Sequence, residues 1–257
     1  MISKRKHLRE EEKEAYKKIT DELAKKGCLS AELLWDEQQN AVKEATTFFL
    51  AKQNGDFQGM GTLFFPSETE AELSVGVLSG ENGRETLEKL VDAAKKECEK
   101  FQIAKLHLIC NPKTAGVLTN WLPKGAKAEY SEFLLEHTLP LPIAYGEADC
   151  RVSEGEVVKY RFMRENKEVG RCFVCLFSEG KTAYLYGLET KKSARKSGVA
   201  TGLLGFVSTD LLKRKCKKIL LQVYSENLPA MALYRKLGFC TSEQRDFYQI
   251  ESGGEKS

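Results

Sequence analysis

The chain has 257 residues, of which 42% are hydrophobic and 30% charged, with a net charge of +3. Such a composition is that of a folded globular chain and excludes a disordered one, and its near-neutral balance offers no domain-wide basic face for nucleic acid. No apolar run is long enough to cross a bilayer and residues 1–7 lack the apolar core of a signal peptide, so the expectation is a cytoplasmic protein with neither membrane nor nucleic-acid partners.

In chain order, the Lys and Arg residues at 4–9 read as a solvated face, and helices are expected over 8–26 and 30–44. Strands follow at 46–53, 57–65 and 70–78, the first two joined by Asn54 and Gly55, a favoured hairpin pair. A helix over 84–101, a strand at 104–110, a short helix at 113–121 and a strand near 130–137 complete the first half. Pro140, Leu141 and Pro142 then punctuate the chain, which divides it into domains 1–139 and 140–257. In the second half, Val158, Tyr160 and Phe162 alternate with Lys159 and Arg161, the period of a half-buried strand at 157–164. Strands at 168–178 and 182–190 follow across turns at 165–167 and 178–181. Val199, Leu203, Phe206, Val207 and Leu211 fall at helical spacing over 198–215. A strand at 219–225, a helix at 229–237 begun by Pro229 and ended by Gly238, and a strand at 244–250 close the chain. When Gly83 is laid on Gly198, Leu106, His107 and Leu108 fall on Leu221, Gln222 and Val223 without a gap. The halves therefore share one element order, and the fold class is α/β (α+β): two tandem domains, each a mixed, mostly antiparallel sheet flanked by helices.

Two stretches of the second half carry chemistry. Lys191, Lys192, Arg195, Lys196, Ser197 and Gly198 lie between a strand and the start of a helix. A helix N-terminus has unpaired N–H groups and partial positive charge, so with these cations it suits a pyrophosphate, and Gly198 permits close backbone approach. An ordinary helix start beside a solvated basic loop has the same residues. The second stretch is Asn227-x-x-Ala230-x-x-Leu233-Tyr234-x-x-x-Gly238-Phe239. Taken alone, Asn227 reads as a helix cap and Tyr234 as a core aromatic.

In this order and spacing, the two stretches resemble the acetyl-CoA signature of the GNAT superfamily of N-acetyltransferases. Lys192, Thr190 and Ala194 depart from residues common in that family, which alters loop stiffness more than phosphate donors. The resemblance implies acetyl-CoA as co-substrate, with its pyrophosphate at Arg195, Lys196, Ser197, Gly198, Val199, Ala200 and Thr201. It implies a thioester held in a V-shaped gap between strands 182–190 and 219–225, polarised by backbone N–H groups near Leu188 and Thr190. Asn227 is expected to contact the cofactor or an ordered water, and Tyr234 to protonate the departing thiolate after direct attack by an amine. A phenol of pKa about 10 suits a thiol leaving group of pKa about 8.5. His7, His107 and His137 all precede the second half, so Glu189 is the candidate base; its other reading is a solvent-facing carboxylate near Lys191. Glu226 is a weaker candidate, and Gln222, where some relatives carry Glu, cannot act as a base. The acceptor is expected to be a small-molecule or peptide amine, and the protein a monomer or homodimer. The alternative is a non-catalytic acyl-CoA-binding or sensing protein.

The first half lacks these features. Its corresponding loop is shorter, has no basic run and places Glu81 near the would-be phosphates, while Pro112 and Thr119 stand at the Asn227 and Tyr234 positions. It resembles a degenerate copy without cofactor chemistry, or one that binds acyl-CoA more loosely. The two helices that cover the acceptor groove in the family have no room between Pro142 and Val157. The first half, or a partner subunit, is therefore expected to wall the acceptor side. The eight cysteines, including the close pair Cys172 and Cys175, lie scattered among apolar neighbours, as reduced thiols do. Residues three apart in a strand face opposite sides, and no second Cys/His pair follows, so no metal site is expected.

Overall fold

The computed structural model describes residues 1–122, 127–143, 150–155 and 157–250. The chain divides into two units, Met1–Ser131 with Arg245–Ser257, and Glu132–Gln244.

The first unit contains β1 (Ile2–Arg5), α1 (Glu10–Lys25), β2 (Phe48–Gln53), β3 (Asp56–Phe64), β4 (Glu70–Val77), α2 (Gly83–Lys100), β5 (Lys105–Cys110) and α3 (Gly116–Thr119). Asn54 and Gly55 both take positive φ, the turn their sequence favours between β2 and β3. Strands β1 to β4 are antiparallel neighbours, and β4 lies parallel to β5. Alternate residues Ala71, Leu73, Val75 and Val77 are buried in a core that also takes Leu87, Leu90, Ala94 and Cys98 from α2. Burying a leucine stabilises by about 1.5–3 kcal/mol, so this helical stripe is enough to fix α2 on the sheet.

Three sequence expectations change here. No helix forms over 30–44, where the only helical turn is a 3-10 one at Glu37–Gln39. Buried Asn40 accepts a hydrogen bond from the Phe65 N–H (2.8 Å) and donates to Thr47 Oγ1 (3.0 Å), which holds the segment in an irregular path. The helix expected at 113–121 is only Gly116–Thr119. Residues 2–5 are not merely a solvated face: they pair with β2, and Lys4 reaches the buried carboxylate of Glu97 at 3.4 Å.

The second unit contains β6 (Tyr130–Thr138, from Glu132 on), β7 (Cys150–Ser153), β8 (Val158–Arg164), β9 (Lys167–Phe177), β10 (Thr182–Thr190), α4 (Val199–Lys213), β11 (Lys218–Tyr224) and α5 (Leu228–Lys236). Strand β12 (Cys240–Ile250) ends the described chain. The sheet order is β7-β8-β9-β10-β11-β6, and the short strand β7 was not expected. Leu203, Leu204, Val207 and Leu211 of α4 pack with Tyr160, Cys172, Val174, Ala183, Leu185, Ile219 and Leu221 from one face of that sheet. Buried Tyr160 donates to Asp210 Oδ2 (2.7 Å), and Arg214 pairs with the same carboxylate. Burial and that carboxylate push the Tyr160 phenol well above its ordinary pKa.

Strand β6, the expected last strand of the first half, runs antiparallel to β11 from Lys218↔Thr138 to Tyr224↔Glu132. Conversely, residues 246–250 of β12 run antiparallel to β5, from Asp246↔Cys110 to Ile250↔Leu106. The units thus exchange their terminal strands relative to sequence order, in place of the division at 139/140. Strand pairing is non-local, so the order of elements along the chain does not reveal it. All eight cysteines are free thiols, and no helix among the described residues is long and apolar enough to cross a membrane.

Candidate active site

Strands β10 and β11 pair in parallel from Thr182↔Lys218 to Leu185↔Leu221, and there the pairing stops. Both continue, β10 to Thr190 and β11 to Tyr224, so an opening begins at Tyr186 and Gln222. On its other side β10 breaks register with β9: Tyr186 faces Phe173 and Glu189 faces Arg171, leaving Gly187 and Leu188 opposite Cys172. This is a β-bulge, which bends a strand and re-aims its groups. Gly187 has φ 60, and a Cβ there would lie 3.0 Å from the Phe173 ring. Glycine is therefore the residue that both the backbone and the neighbour allow.

The opening is part of a cavity of about 1220 Å³ lined by β10, the loop at 191–198, the first turn of α4, the end of β11 and α5. The loop makes a 3-10 turn at Lys192–Ala194 and buries Ala194. Lys196 (φ 60) and Gly198 (φ 81) both take left-handed conformations immediately before α4. A Cβ on Gly198 would meet nothing within 4 Å, so its demand for glycine is conformational and the space before α4 is open. The leading N–H groups of α4, at Val199, Ala200 and Thr201, point out of the helix without intrahelical acceptors. Lys191, Lys192, Arg195 and Lys196 are exposed around them. Arg164 braces the loop from below, donating to Ser197 Oγ and to the Ser197 carbonyl, both at 3.0 Å. Gly170 brings β9 close under α4: a Cβ there would lie 2.6 Å from a Val199 methyl.

On the far wall, Asn227 caps α5, its Oδ1 accepting from the Ala230 N–H at 3.3 Å. Tyr234 is 5% exposed and its ring packs 5.4 Å from that of Phe239. Its hydroxyl has no hydrogen-bond partner among the described residues, and burial pushes its pKa up to about 12.

Leu188, Glu189, Thr190, Arg195, Lys196, Gly198, Val199, Ala200, Thr201, Asn227 and Tyr234 all line this one cavity, whereas Ser197 and Glu226 do not. The Ser197 hydroxyl instead donates to the Ala194 carbonyl at 2.8 Å. Glu189 is 63% exposed and held by Arg171 Nη2 (2.8 Å) and Nε (3.1 Å), not by Lys191. Two features escaped the sequence reading. Arg164 sits at a strand end with no motif around it. Tyr184 donates to Gln222 Oε1 (3.2 Å), and the Gln222 amide donates to Glu132, a residue on β6 assigned to the other half.

The first unit has the same opening and fills it. Parallel pairing of β4 with β5 stops at Leu73↔Leu108, while β4 runs on to Val77 without any register break against β3. Residues 28–30 run into this gap: Ser30 N–H donates to the Val75 carbonyl (2.7 Å), Val77 N–H to the Cys28 carbonyl (3.0 Å), and Asn111 N–H to the Ser30 carbonyl (2.5 Å). The Ser30 hydroxyl accepts from Val75 N–H at 2.8 Å. At the start of α2, a Cβ on Gly83 would lie 2.4 Å from the Trp121 indole, whereas one on Gly198 at the start of α4 would meet nothing within 4 Å.

Residues 129–239 match the acetyltransferase (GNAT) family. In fold the chain is similar to a GCN5-related N-acetyltransferase from Sphaerobacter thermophilus, at 12% identity over 80% of this chain and 81% of that one, with TM-score 0.63. It is similar to a tandem GNAT protein from the clavulanic acid biosynthesis pathway, at 14% identity over 80% and 83% of the two chains, with TM-score 0.57. An acetyltransferase of the GNAT family from Colwellia psychrerythraea aligns over 98% of this chain and 100% of its own, at 12% identity and TM-score 0.56. These identities speak to fold alone. No curated protein matches the chain in sequence.

Proposed function

We propose that this chain, whose residues 129–239 belong to the GNAT acetyltransferase family, is an acetyl-CoA-dependent N-acetyltransferase of tandem architecture that works from its second unit. One observation carries the reading: the bulged edge of β10, the open N-terminus of α4 and Tyr234 line one cavity. The residues fit the cofactor. Free N–H groups and four exposed cations stand before α4, where Gly198 leaves open space, and this is the chemistry that takes a pyrophosphate. Acetyl-CoA, when bound, supplies the activated acetyl group. The edge at Leu188 and Thr190 offers backbone groups to an amide-bearing arm, and the bulge offers an N–H to a polarised carbonyl. Tyr234, kept protonated by burial, holds a proton at Oη for a departing thiolate. Asn227 caps α5 and lines the cavity. Glu189 would have to leave Arg171 before meeting an acceptor, so it is the weakest of the assigned residues.

The test is calorimetric titration with acetyl-CoA, followed by an amine panel read by release of the CoA thiol. Binding in the micromolar range with amine-dependent thiol release is expected. No binding up to about 1 mM acetyl-CoA would sink the reading, since that limit corresponds to only about 4 kcal/mol. Binding without turnover on any amine would leave an acyl-CoA-binding protein.

A further inference from the structure

The loop before α4 is held from behind by residues that do not line the cavity. Its start is fixed by backbone, the Lys191 N–H donating to the Val169 carbonyl at 2.9 Å, and it ends in the first turn of α4. Between these points Lys196 (φ 60) is left-handed, a conformation that strains a residue with a side chain and persists only where its surroundings hold it. Its neighbour Ser197 carries the ties. The Ser197 hydroxyl donates to the Ala194 carbonyl at 2.8 Å and accepts from Arg164 Nη1 at 3.0 Å, while the Ser197 carbonyl accepts from Arg164 Nη2 at 3.0 Å. The guanidinium lies over the ring of Phe162, a core residue, 5.9 Å from its centroid. Among the described residues, Arg164 is the one side chain from another element that bonds to residues 195–198.

The first unit has a weaker version of the same tie. Asn82 stands directly before Gly83 as Ser197 stands before Gly198, and Gln53 ends β2, the first strand of its hairpin, as Arg164 ends β8. There the contact is one exposed bond between neutral amides, from Asn82 Nδ2 to Gln53 Oε1 at 3.2 Å. Charge-assisted bonds are stronger, and a guanidinium that grips two acceptors also fixes their geometry. The stronger tie belongs to the unit whose helix start is open. Neither Arg164 nor Ser197 lines the cavity, so whatever Arg164 does there it does through the loop.

We propose that Arg164 is a positioning residue for the phosphate end of the cofactor. Acting through Ser197, it holds residues 195–198 in the one shape that leaves the first N–H groups of α4 and the cations around them ready for a pyrophosphate. This rests on the acetyl-CoA reading of the cavity and adds to it a residue from β8 that never touches the ligand.

The experiment uses the full chain and the variants Arg164→Ala, Arg164→Lys, Ser197→Ala and the double Arg164→Ala, Ser197→Ala. Lys167→Ala is the control: Lys167 faces Arg164 across the same hairpin, with no bond to the loop among the described residues. Calorimetry gives Kd for acetyl-CoA and for acetyl-dephospho-CoA, which keeps the pyrophosphate and lacks the 3′-phosphate, and each variant is melted without ligand. A loop left in its binding shape about one-tenth of the time weakens binding about tenfold, so Arg164→Ala should weaken both ligands by about that factor. Its melting temperature should stay within about 4 °C of wild type, because the tie is an exposed one. Arg164→Lys reaches one acceptor and not both, and should weaken both ligands about threefold. Ser197→Ala should also cost about threefold, and in the Arg164→Ala background less than about twofold more, since links of one chain of contacts do not add. Lys167→Ala should change neither Kd by more than about twofold. Unchanged acetyl-CoA affinity in Arg164→Ala would overturn the proposal. So would a loss confined to acetyl-CoA, which would make Arg164 a 3′-phosphate contact, or an equal loss in Lys167→Ala, which would reduce its part to net charge. Fully multiplied losses in the double variant, or a melting temperature lowered by more than about 4 °C along with affinity, would overturn it as well. No acetyl-CoA binding by the wild-type chain would instead defeat the acetyl-CoA reading, and this proposal with it.

Discussion

Replacing Tyr234 with Phe isolates the chemistry from the packing. The ring stays, with its contact to Phe239 at 5.4 Å, and α5 keeps its Asn227 cap. The lost hydroxyl has no protein partner among the described residues, so its removal strands no buried donor or acceptor. Stability should therefore change by less than about 1 kcal/mol, whereas Tyr234→Ala would open a cavity costing about 3–5 kcal/mol. Acetyl-CoA affinity should also hold, because the basic loop proposed for its phosphates lies on the α4 side of the cavity. Turnover should not hold. A positioned general acid contributes about 10²–10⁴-fold, equivalent to about 3–5.5 kcal/mol of barrier, and phenylalanine supplies none of it. The assay is CoA thiol release at saturating acetyl-CoA, beside calorimetry and a thermal melt on the same preparation. Wild-type turnover in the variant would refute the acid role. A loss of turnover matched by equal losses of stability and cofactor affinity would make Tyr234 a core aromatic and nothing more.

Gly187→Ala should strain the bulge, whose φ of 60 costs an L-residue about 1–2 kcal/mol, and press on Phe173. Acetyl-CoA affinity should fall along with the melting temperature, whereas Gly55→Ala, equally strained at φ 92 in open space, should lower the melting temperature alone. Because residues 28–30 and Trp121 fill the first unit's opening, titration should end at a single acetyl-CoA per chain; a second equivalent of similar affinity would contradict the filled gap. Burial raises the Tyr234 pKa to about 12, so the folded state binds a proton that the unfolded state gives up near pH 10. Its contribution to stability is thus complete below about pH 10 and lost as pH rises through about 12. For the same reason, kcat measured from about pH 6 to 10 should show no descending alkaline limb, and a fall below pH 10 would point to a different acid.

Much of the second unit was legible because its signals are local. The alternation of Val158, Tyr160 and Phe162, the helical spacing from Val199 to Leu211, and Pro229 with Gly238 at the ends of α5 each encode an element within a few residues. The cavity was legible for the same reason: the basic loop and the tyrosine helix are each contiguous. What was not legible depends on partners far along the chain. Nothing near residue 30 announces that its backbone bonds to Val75 and Asn111, so Leu33 and Leu34 read as a helix that does not form. The contact of Glu132 with Gln222 was invisible because β6 follows the first half in sequence and pairs with β11 in space. Ser197 and Glu189 have the right composition for their expected roles, but Arg164 and Arg171, arriving from other strands, decide what their oxygens do.

The two openings differ in which group satisfies a strand edge. When parallel pairing stops and one strand runs on, its N–H and carbonyl groups need partners, since leaving them buried and unpaired costs about 1–3 kcal/mol each. In the first unit the chain supplies them: residues 28–30 lie along β4 like a short strand, and β4 stays in straight register with β3. In the second unit no such segment arrives among the described residues, and β10 carries a bulge at Gly187 beside the cavity. The helix starts follow the same logic, with an indole against Gly83 and open space beside Gly198. With backbone and indole filling the first unit's gap, the loop before α2 carries Glu81 and no basic run.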